Sequence, residues 1–337
     1  MSSIRRNATA TFFHIRLVIF GATGHEEAPI GTPFRIDVHH HFAPPRWLAE
    51  VTGNELLSPR VREWTPAKSV EDMDRAGVAA SVASITNPGL WLGDEEAARR
   101  LARECNDYAA GMIRDHPRRF GLFAAMPMPA IDASLREIEY ACDTLRADGI
   151  GLFTSYGERW LGDADFAPVF EELDRRKALV FVHPTVAPCC AKLIAEVPPP
   201  VVEYGTDTTR AVASLLFTGT AARFPNIRYI FSHGGGTAPY LLERFLRLES
   251  SARDRLPRGV LHELKKFHYD LALTANPVPV SALLKLVPVS QVLFGTDFPS
   301  GGPSLECVKG LAACGLGASE LRAIEHDNAL RLLPRLE

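Results

Sequence analysis

A regular alternation of short apolar segments and longer amphipathic segments is the feature that most constrains the fold of this chain. Eight segments rich in β-branched and aromatic residues predict strands at residues 34–39, 79–85, 120–125, 149–153, 178–183, 227–233, 267–273 and 291–296. Helical patterns separate them, at 69–76, 95–115, 131–146, 165–177, 208–224 and 238–251, and near 257–266, 279–287 and 303–315. The strand segments are continuously apolar, as in parallel sheets that are covered on both faces. Eight such units predict an α/β fold, a single (β/α)8 TIM barrel.

An open, doubly wound sheet is the alternative architecture. Its phosphate-binding motif GxGxxG does not follow the first predicted strand, and GxxxxGK[ST] does not occur either. The glycines at 234–236 are expected to permit a tight turn and the close approach of a ligand. The proline-containing segment 198–207 is expected to be a loop, either a substrate lid, an inter-subunit contact or a rigid connector. The barrel is favoured.

Length and composition agree with one barrel domain preceded by a leader. The chain has 337 residues, of which 46% are hydrophobic and 23% charged. We expect residues 1–33 to form a flexible leader and residues 34–337 the barrel. His14 and Arg16 interrupt the apolar run of the leader, which disfavours an export signal and favours a cytoplasmic location. The net charge of −3 gives no reason to expect nucleic acid or an anionic membrane as a partner.

The first predicted strand ends in three histidines. His39 and His41 are two residues apart, so on a strand both side chains point to the same face. Both imidazoles can therefore reach one metal ion just beyond the strand end. His40 should point to the opposite face and is not expected to bind the ion.

Three further polar residues end later strands. His183 ends the fifth, His233 the sixth and Asp297 the eighth. A lone histidine or aspartate at such a place is more often a structural loop residue, but a barrel brings all strand ends to one rim. Three imidazoles and one carboxylate suit a borderline divalent ion such as zinc. The predicted metal ligands are His39, His41, His183 and Asp297.

The order of these motifs resembles the amidohydrolase superfamily. HxH at 39–41, HP at 183–184, SHGGG at 232–236 and GTDFP at 295–299 follow one another on the predicted βα units. More narrowly, residues 34–330 resemble the amidohydrolase-related decarboxylases, the group of α-amino-β-carboxymuconate-ε-semialdehyde decarboxylase and 6-methylsalicylate decarboxylase. The phrases RFGLFA at 119–124, FVHPT at 181–185 and DTTR at 207–210 are most similar to the 6-methylsalicylate type.

The resemblance implies roles for individual residues. It implies one divalent ion, zinc or alternatively manganese, on the four ligands named above, and no organic cofactor. The fourth predicted strand does not end in the lysine that bridges two metals in binuclear members. The resemblance also implies that His233 is an acid/base residue beside the metal. Arg244 would bind a substrate carboxylate across the interface of a homodimer.

The leading hypothesis is therefore metal-dependent, non-oxidative decarboxylation of a hydroxylated aromatic or related unsaturated carboxylic acid that resembles 6-methylsalicylate. Asp297 would deliver a proton to the carbon that bears the carboxylate, and His233 would orient the substrate or activate a metal-bound water. The alternative is a lactonase or amidohydrolase that uses a metal-activated water. A metal-binding barrel without enzymatic activity is the third interpretation.

Overall fold

Eight parallel strands form one sheet in the order in which they occur along the chain. The structure is a computed structural model that describes residues 33–191 and 193–337, so the predicted leader lies outside the described residues apart from Pro33. Consecutive strands are hydrogen-bonded neighbours: β1 Arg35–Phe42, β2 Val78–Ile85, β3 Phe120–Ala125, β4 Gly149–Phe153, β5 Leu179–His183, β6 Arg228–Phe231, β7 His268–Asp270 and β8 Val292–Leu293. All eight predicted strands are present, and the predicted TIM barrel is confirmed.

The barrel closes between β1 and the segment that follows β8. The backbone N–H of Asp297 donates to the carbonyl oxygen of His39 at 2.7 Å. The buried carboxylate of Asp37 accepts from the backbone N–H of Thr296 at 3.1 Å and from its hydroxyl at 2.7 Å. These bonds place the end of the first strand beside the end of the eighth, although about 260 residues separate them.

Helices surround the sheet and alternate with its strands. They are α1 Pro45–Val51, α2 Pro59–Arg62, α3 Pro66–Ala76, α4 Glu95–Asp115, α5 Ile131–Glu139, α6 Ala167–Arg175, α7 Pro199–Phe217, α8 Thr220–Arg223, α9 Leu242–Leu246, α10 Val260–Lys266, α11 Pro277–Leu286, α12 Ser304–Ala312, α13 Ala318–Arg322 and α14 Asn328–Leu332. At the start of α4, the Asp94 carboxylate accepts from the N–H of Ala97 at 2.7 Å. This cap explains why the acidic start of that segment begins a helix.

The segment 198–207 is helical, so its prediction as a loop was wrong. The helix α7 begins at Pro199, nine residues before the predicted start at Thr208. Proline is tolerated in the first turn because no helical hydrogen bond requires its missing N–H there. The prolines that suggested a loop instead begin the helix, and α7 consequently covers the rim of the barrel where the strands end.

Apolar side chains fill the barrel interior and the layer between strands and helices. Inside the barrel, Phe123 and Phe181 stack with ring centroids 5.1 Å apart, and Phe181 contacts the His39 ring edge-on at 5.0 Å. Apolar side chains inside the barrel thus pack against the histidines at the strand ends and exclude water from that side of them. Among the described residues, no helix combines the length and the apolar character needed to cross a membrane.

Candidate active site

The four predicted ligands converge at the C-terminal rim of the barrel. One ligand atom each from His39, His41, His183 and Asp297 lies within 4.8 Å of the others, and all four residues are buried. The Nε2 atoms of His39 and His41 are 3.2 Å apart, and Asp297 Oδ1 lies 3.0 Å from Nε2 of His41. Asp297 Oδ1 has no well-oriented hydrogen-bond donor among the described residues. Buried polar atoms usually have partners, so this convergence fits a divalent cation.

The end of β1 directs two histidines inward and one outward. Its register against β2 shifts between Asp37 and His40, and His39 and His41 lie on the metal side of this irregular strand. His40 lies on the other side, where its Nε2 is 2.8 Å from the hydroxyl of Ser69 and its Nδ1 is 3.1 Å from Asp37. The orientation expected for His40 is therefore confirmed.

Each ligand histidine is held through its second ring nitrogen. The three Nδ1 atoms face oxygen acceptors: Asp270 Oδ2 for His39 at 2.9 Å, the Ser84 carbonyl for His41 at 3.2 Å, and the Pro184 carbonyl for His183 at 2.9 Å. An oxygen acceptor requires the proton on Nδ1 and leaves Nε2 free to bind a metal. The surrounding chain thus sets the tautomer that ligation needs.

Asp270 supports two parts of the site at once. Its Oδ2 faces His39, while its Oδ1 accepts from the backbone N–H groups of His233 at 3.1 Å and Ala272 at 2.9 Å. Asp270 is fully buried at the end of β7. Its sequence position did not reveal this role, because a carboxylate inside a predicted strand has no distinguishing spacing.

Buried charges have opposite signs at the centre of the site. Burial favours neutral His39, but Asp270 and Asp297 outweigh that effect and raise the pKa of His39 to about 10. Burial would also raise the pKa of Asp297, but the neighbouring imidazoles of His233 and His39, each 3.5 Å from its carboxylate, hold that pKa well below its usual range. Burial, with His41 nearby, lowers the pKa of His183 well below its ordinary value. A metal ion bound by His39 would therefore have to replace a proton, because ligation requires a neutral imidazole.

His233 lies beside the four ligands and has free ring nitrogens. Its ring centroid is 4.9 Å from that of His39, and its Nε2 is 3.5 Å from Asp297 Oδ2. Neither ring nitrogen has a hydrogen-bond partner among the described residues. His233 and Asp297 both adopt left-handed backbone conformations, with φ of 53° and 59°. In residues other than glycine, such conformations concentrate at functional sites. Here they occur at one proposed ligand, Asp297, and at the histidine beside the ligands.

The glycines after His233 make the predicted tight turn, and two of them pack closely against neighbouring parts of the chain. All three have positive φ. A Cβ atom on Gly236 would overlap the carbonyl oxygen of Gly205 in α7, and one on Gly235 would lie 2.7 Å from the ring of Tyr269. Glycine is thus required at position 236 for close packing of α7 against this loop, and the close approach of a ligand stays a prediction.

A cavity of about 260 Å³ opens above the metal ligands. It is lined by His183 and Asp297, by apolar Leu56, Val61, Pro200, Val201 and Leu273, and by neutral polar Ser58, Thr86, Asn87, Tyr204 and Ser300. The Tyr204 ring stacks on His233 with centroids 6.4 Å apart and meets His183 edge-on at 6.1 Å. Burial and the charge of Asp297 raise the pKa of Tyr204. Tyr204 was missed at the sequence level because its segment was predicted to be a loop.

Arg244 is not brought to this cavity by its own chain. It lies on α9 with an exposed side chain, does not line the cavity, and has no hydrogen bond or ion pair to another described residue. A role in binding a substrate carboxylate would require a second copy of the chain, and it stays a prediction.

Comparison with known proteins identifies relatives for nearly the whole described chain. Residues 36–335 match the family model Amidohydro_2, described as amidohydrolase. A 6-methylsalicylic acid decarboxylase from Penicillium expansum is 37% identical over 315 residues, covering 90% of this chain and 97% of that protein. Decarboxylase yanB from Aspergillus niger is 36% identical over 324 residues, with coverages of 90% and 88%. A dihydroxybenzoic acid decarboxylase from Polaromonas sp., solved with manganese and 2-nitroresorcinol, superposes with a TM-score of 0.80 at 20% identity, covering 90% and 97% of the chains.

Proposed function

The chain belongs to the amidohydrolase family, and we propose on that premise that it is a metal-dependent, non-oxidative decarboxylase of a hydroxylated aromatic acid. The observation that carries this proposal is the buried cluster of three histidines and one aspartate beneath a small, largely apolar cavity. Three relatives that align over 90% of the chain are decarboxylases, and two of them are named for 6-methylsalicylic acid. An acid of the 6-methylsalicylate class is the proposed substrate.

One divalent ion is proposed to bind His39, His41, His183 and Asp297. When bound, it supplies positive charge that orders the acid and stabilises negative charge that develops on it. Zinc suits three imidazoles and a carboxylate, and manganese, which a structural neighbour contains, is the second choice. No organic cofactor is proposed.

Loss of CO2 from an aromatic ring requires a place for the electron pair of the breaking bond. Protonation of the carbon that bears the carboxylate provides it, because the pair then returns to the ring as CO2 leaves. Asp297 is the proposed proton donor to that carbon. Its depressed pKa keeps it ionised at rest, so it must first accept a proton, and the neighbouring Nε2 of His233, 3.5 Å from Oδ2, is placed to pass one.

Three finer features complete the proposal. We infer a homodimer in which Arg244 of one copy reaches the substrate carboxylate in the other, because Arg244 is exposed and does not line the cavity of its own chain. We infer a cytoplasmic location from the character of the first 33 residues. The net charge of −3 gives no reason to propose nucleic acid or an anionic membrane as a partner.

A screen of metal-reconstituted protein tests the function. The substrates are 6-methylsalicylate, other hydroxybenzoates and a set of lactones, with CO2 release and ring opening measured in parallel. We expect CO2 from at least one hydroxybenzoate and no ring opening. Hydrolysis by metal-activated water is the other reaction that the ligand set permits, so lactone turnover without CO2 release from any acid would overturn the proposal.

Metal analysis provides an independent test of the ligand set. The wild-type chain should hold about one ion, and the variant with both His183→Ala and Asp297→Ala should hold none, because two of the four proposed ligands are absent. A variant with His262→Ala and Asp165→Ala, which changes the same residue types away from the cluster, serves as the control. Full metal content in the first variant would contradict the assignment.

A further inference from the structure

Residues 39–41 at the end of β1 and 296–298 after β8 form the seam that closes the barrel, and the seam contains three of the four proposed metal ligands. The backbone N–H of Asp297 donates to the carbonyl oxygen of His39, and that of His41 donates to the carbonyl oxygen of Phe298, both at 2.7 Å. Between these bonds Asp297 has a left-handed backbone, with φ of 59°. A residue other than glycine keeps this conformation only where its surroundings hold it. The surroundings of the seam therefore decide where the Asp297 carboxylate points.

His40 packs against this seam from the side that faces away from the metal ligands. Its ring stacks on that of Phe298, with centroids 5.0 Å apart and an interplanar angle of 23°. Phe298 directly follows Asp297 in the chain, and it also forms a parallel backbone bridge with His40. His40 is 1% exposed, so water does not compete for these contacts. The position of the His40 ring thus limits where Phe298, and with it Asp297, can lie.

Partners at both ring nitrogens fix the His40 ring. Its Nδ1 is 3.1 Å from Asp37 Oδ2, and its Nε2 is 2.8 Å from the hydroxyl oxygen of Ser69 in α3. The Trp64 indole can only donate, and it donates to the same Ser69 oxygen at 2.8 Å. The hydroxyl hydrogen of Ser69 consequently remains available for His40 Nε2. All four residues are buried, and one continuous chain of hydrogen bonds connects Trp64 to Asp37.

Asp37 extends this chain of hydrogen bonds into the seam. Its Oδ2 also accepts from the Thr296 hydroxyl at 2.7 Å. Its Oδ1 accepts from the backbone N–H groups of Thr296 at 3.1 Å and His39 at 3.0 Å. His40 is therefore linked to both neighbours of Asp297 in the chain, directly to the residue after it and through Asp37 to the residue before it.

We propose that His40 is a positioning residue that holds the Asp297 carboxylate where it can bind the metal ion. His40 does not line the cavity above the metal ligands, so it acts through the seam and not on a substrate. The inference rests on the proposed metal site, and it gives a role to the histidine of the 39–41 run that does not point toward the ion. A purely structural role would lower only stability, whereas positioning lowers a metal affinity that depends on Asp297.

A double-mutant cycle between His40 and Asp297 distinguishes positioning from general destabilisation. Zinc affinity is measured by competition with a chromophoric chelator on wild type, His40→Asn, Asp297→Ala and the double variant. Asparagine removes the ring that stacks on Phe298 and the bond to Ser69. We expect His40→Asn to bind zinc about tenfold more weakly than wild type, the lower end of the loss that follows when the partner of a metal ligand is replaced. In the Asp297→Ala background the further loss should be less than about twofold, because no carboxylate is left to position.

Hydrogen exchange reports on the seam independently of metal affinity. Peptides that cover residues 294–302 are followed by mass spectrometry in metal-loaded wild type, His40→Asn and Ser69→Ala. Ser69→Ala is the milder change, since it removes only the partner of His40 Nε2 and leaves the stacked ring. We expect several-fold faster exchange in these peptides for both variants, because the seam opens more often. Peptides from β4, which lies away from the seam, should exchange as in wild type.

The control is His116→Asn, the same substitution at a partly buried histidine between α4 and β3, at the opposite end of the barrel. It should leave zinc affinity and exchange unchanged. Equal losses of affinity for His40→Asn with and without Asp297, or wild-type affinity and exchange in His40→Asn, would overturn the inference. If Asp297→Ala binds no measurable zinc, the exchange measurement decides alone. A wild-type chain that binds no zinc would refute the proposed metal site, and exchange would still show whether His40 holds the seam.

Discussion

Replacement of Asp270 by asparagine should weaken metal binding although the new side chain has almost the same shape. In the native site, Oδ1 accepts from two backbone N–H groups, those of His233 and Ala272, and Oδ2 accepts from His39 Nδ1. The two backbone donors will hold the amide oxygen at the Oδ1 position. The new NH2 group then faces His39 Nδ1, which must lose its proton to accept. The proton moves to Nε2, the atom that binds the metal.

The expected loss of metal affinity follows from the hydrogen bond that Asp270 makes to His39 and from its burial. A hydrogen bond to a charged group contributes about 1.5–3 kcal/mol, which corresponds to roughly a tenfold to hundredfold change in an equilibrium constant. Loss of the partner that orients a ligand histidine typically weakens metal binding by about 10–100-fold. Asp270 is fully buried, so water does not replace the lost interaction. We therefore expect Asp270→Asn to bind the metal about 10–100-fold more weakly than wild type.

Competition with a chromophoric chelator measures this affinity directly. The matched control is Asp148→Asn, because Asp148 is also little exposed and accepts a backbone bond from Leu122 at 2.8 Å, but it precedes β4 at the opposite end of the barrel. The control should bind metal like the wild type. Wild-type affinity in Asp270→Asn, or an equal loss in the control, would refute the role of the tautomer.

Three further outcomes follow from the same geometry. His233→Ala should keep one ion per chain and lose about 100-fold or more in turnover, because its free ring nitrogens serve chemistry and not ligation; loss of the ion would contradict this. Metal uptake by the metal-free protein near pH 8 should release about one proton per ion, because the pKa of His39 is raised to about 10 and a metal-bound imidazole must be neutral. An indicator dye measures the released protons, and metal uptake without proton release would contradict the role of His39 as a ligand. Burial lowers the pKa of His268 to about 4. Between pH 6.5 and 4 the unfolded chain therefore binds a proton that the native chain does not. The free energy of unfolding consequently falls as the pH falls over this range, by at most about 3 kcal/mol. His268→Gln should reduce that loss in denaturant titrations at the two pH values, and an unchanged pH dependence would show that His268 does not cause it.

The eight strands and the four converging ligands could be predicted from local patterns. Continuous apolar segments identify buried parallel strands, and strand ends share one rim in a barrel. His39 and His41 were recognisable because a spacing of two places side chains on one face of a strand. The long-range convergence with Asp297 followed from the closure of eight strands and needed no further sequence signal.

Residues that act through orientation could not be predicted in the same way. Asp270 orients His39 only because barrel closure places β7 and β1 on either side of β8. No spacing in the sequence indicates that these two residues are close. Tyr204 was not predicted as a site residue because Pro199 and Pro200 suggested a loop. The two prolines instead occupy the first turn of α7. The close packing of Gly236 against Gly205 likewise depends on where α7 lies, and a run of glycines is equally compatible with a ligand contact.

The most direct test of decarboxylation at this site is turnover of a carboxyl-labelled 6-methylsalicylate in D2O by the metal-loaded protein. Labelled CO2 and the product ring are quantified together, the ring by mass spectrometry and NMR. We expect one CO2 for each ring formed and one deuterium at the carbon that carried the carboxylate, since Asp297 delivers a solvent-exchangeable proton there. Consumption of the acid without CO2, or CO2 release without deuterium at that carbon, would contradict the proposed reaction.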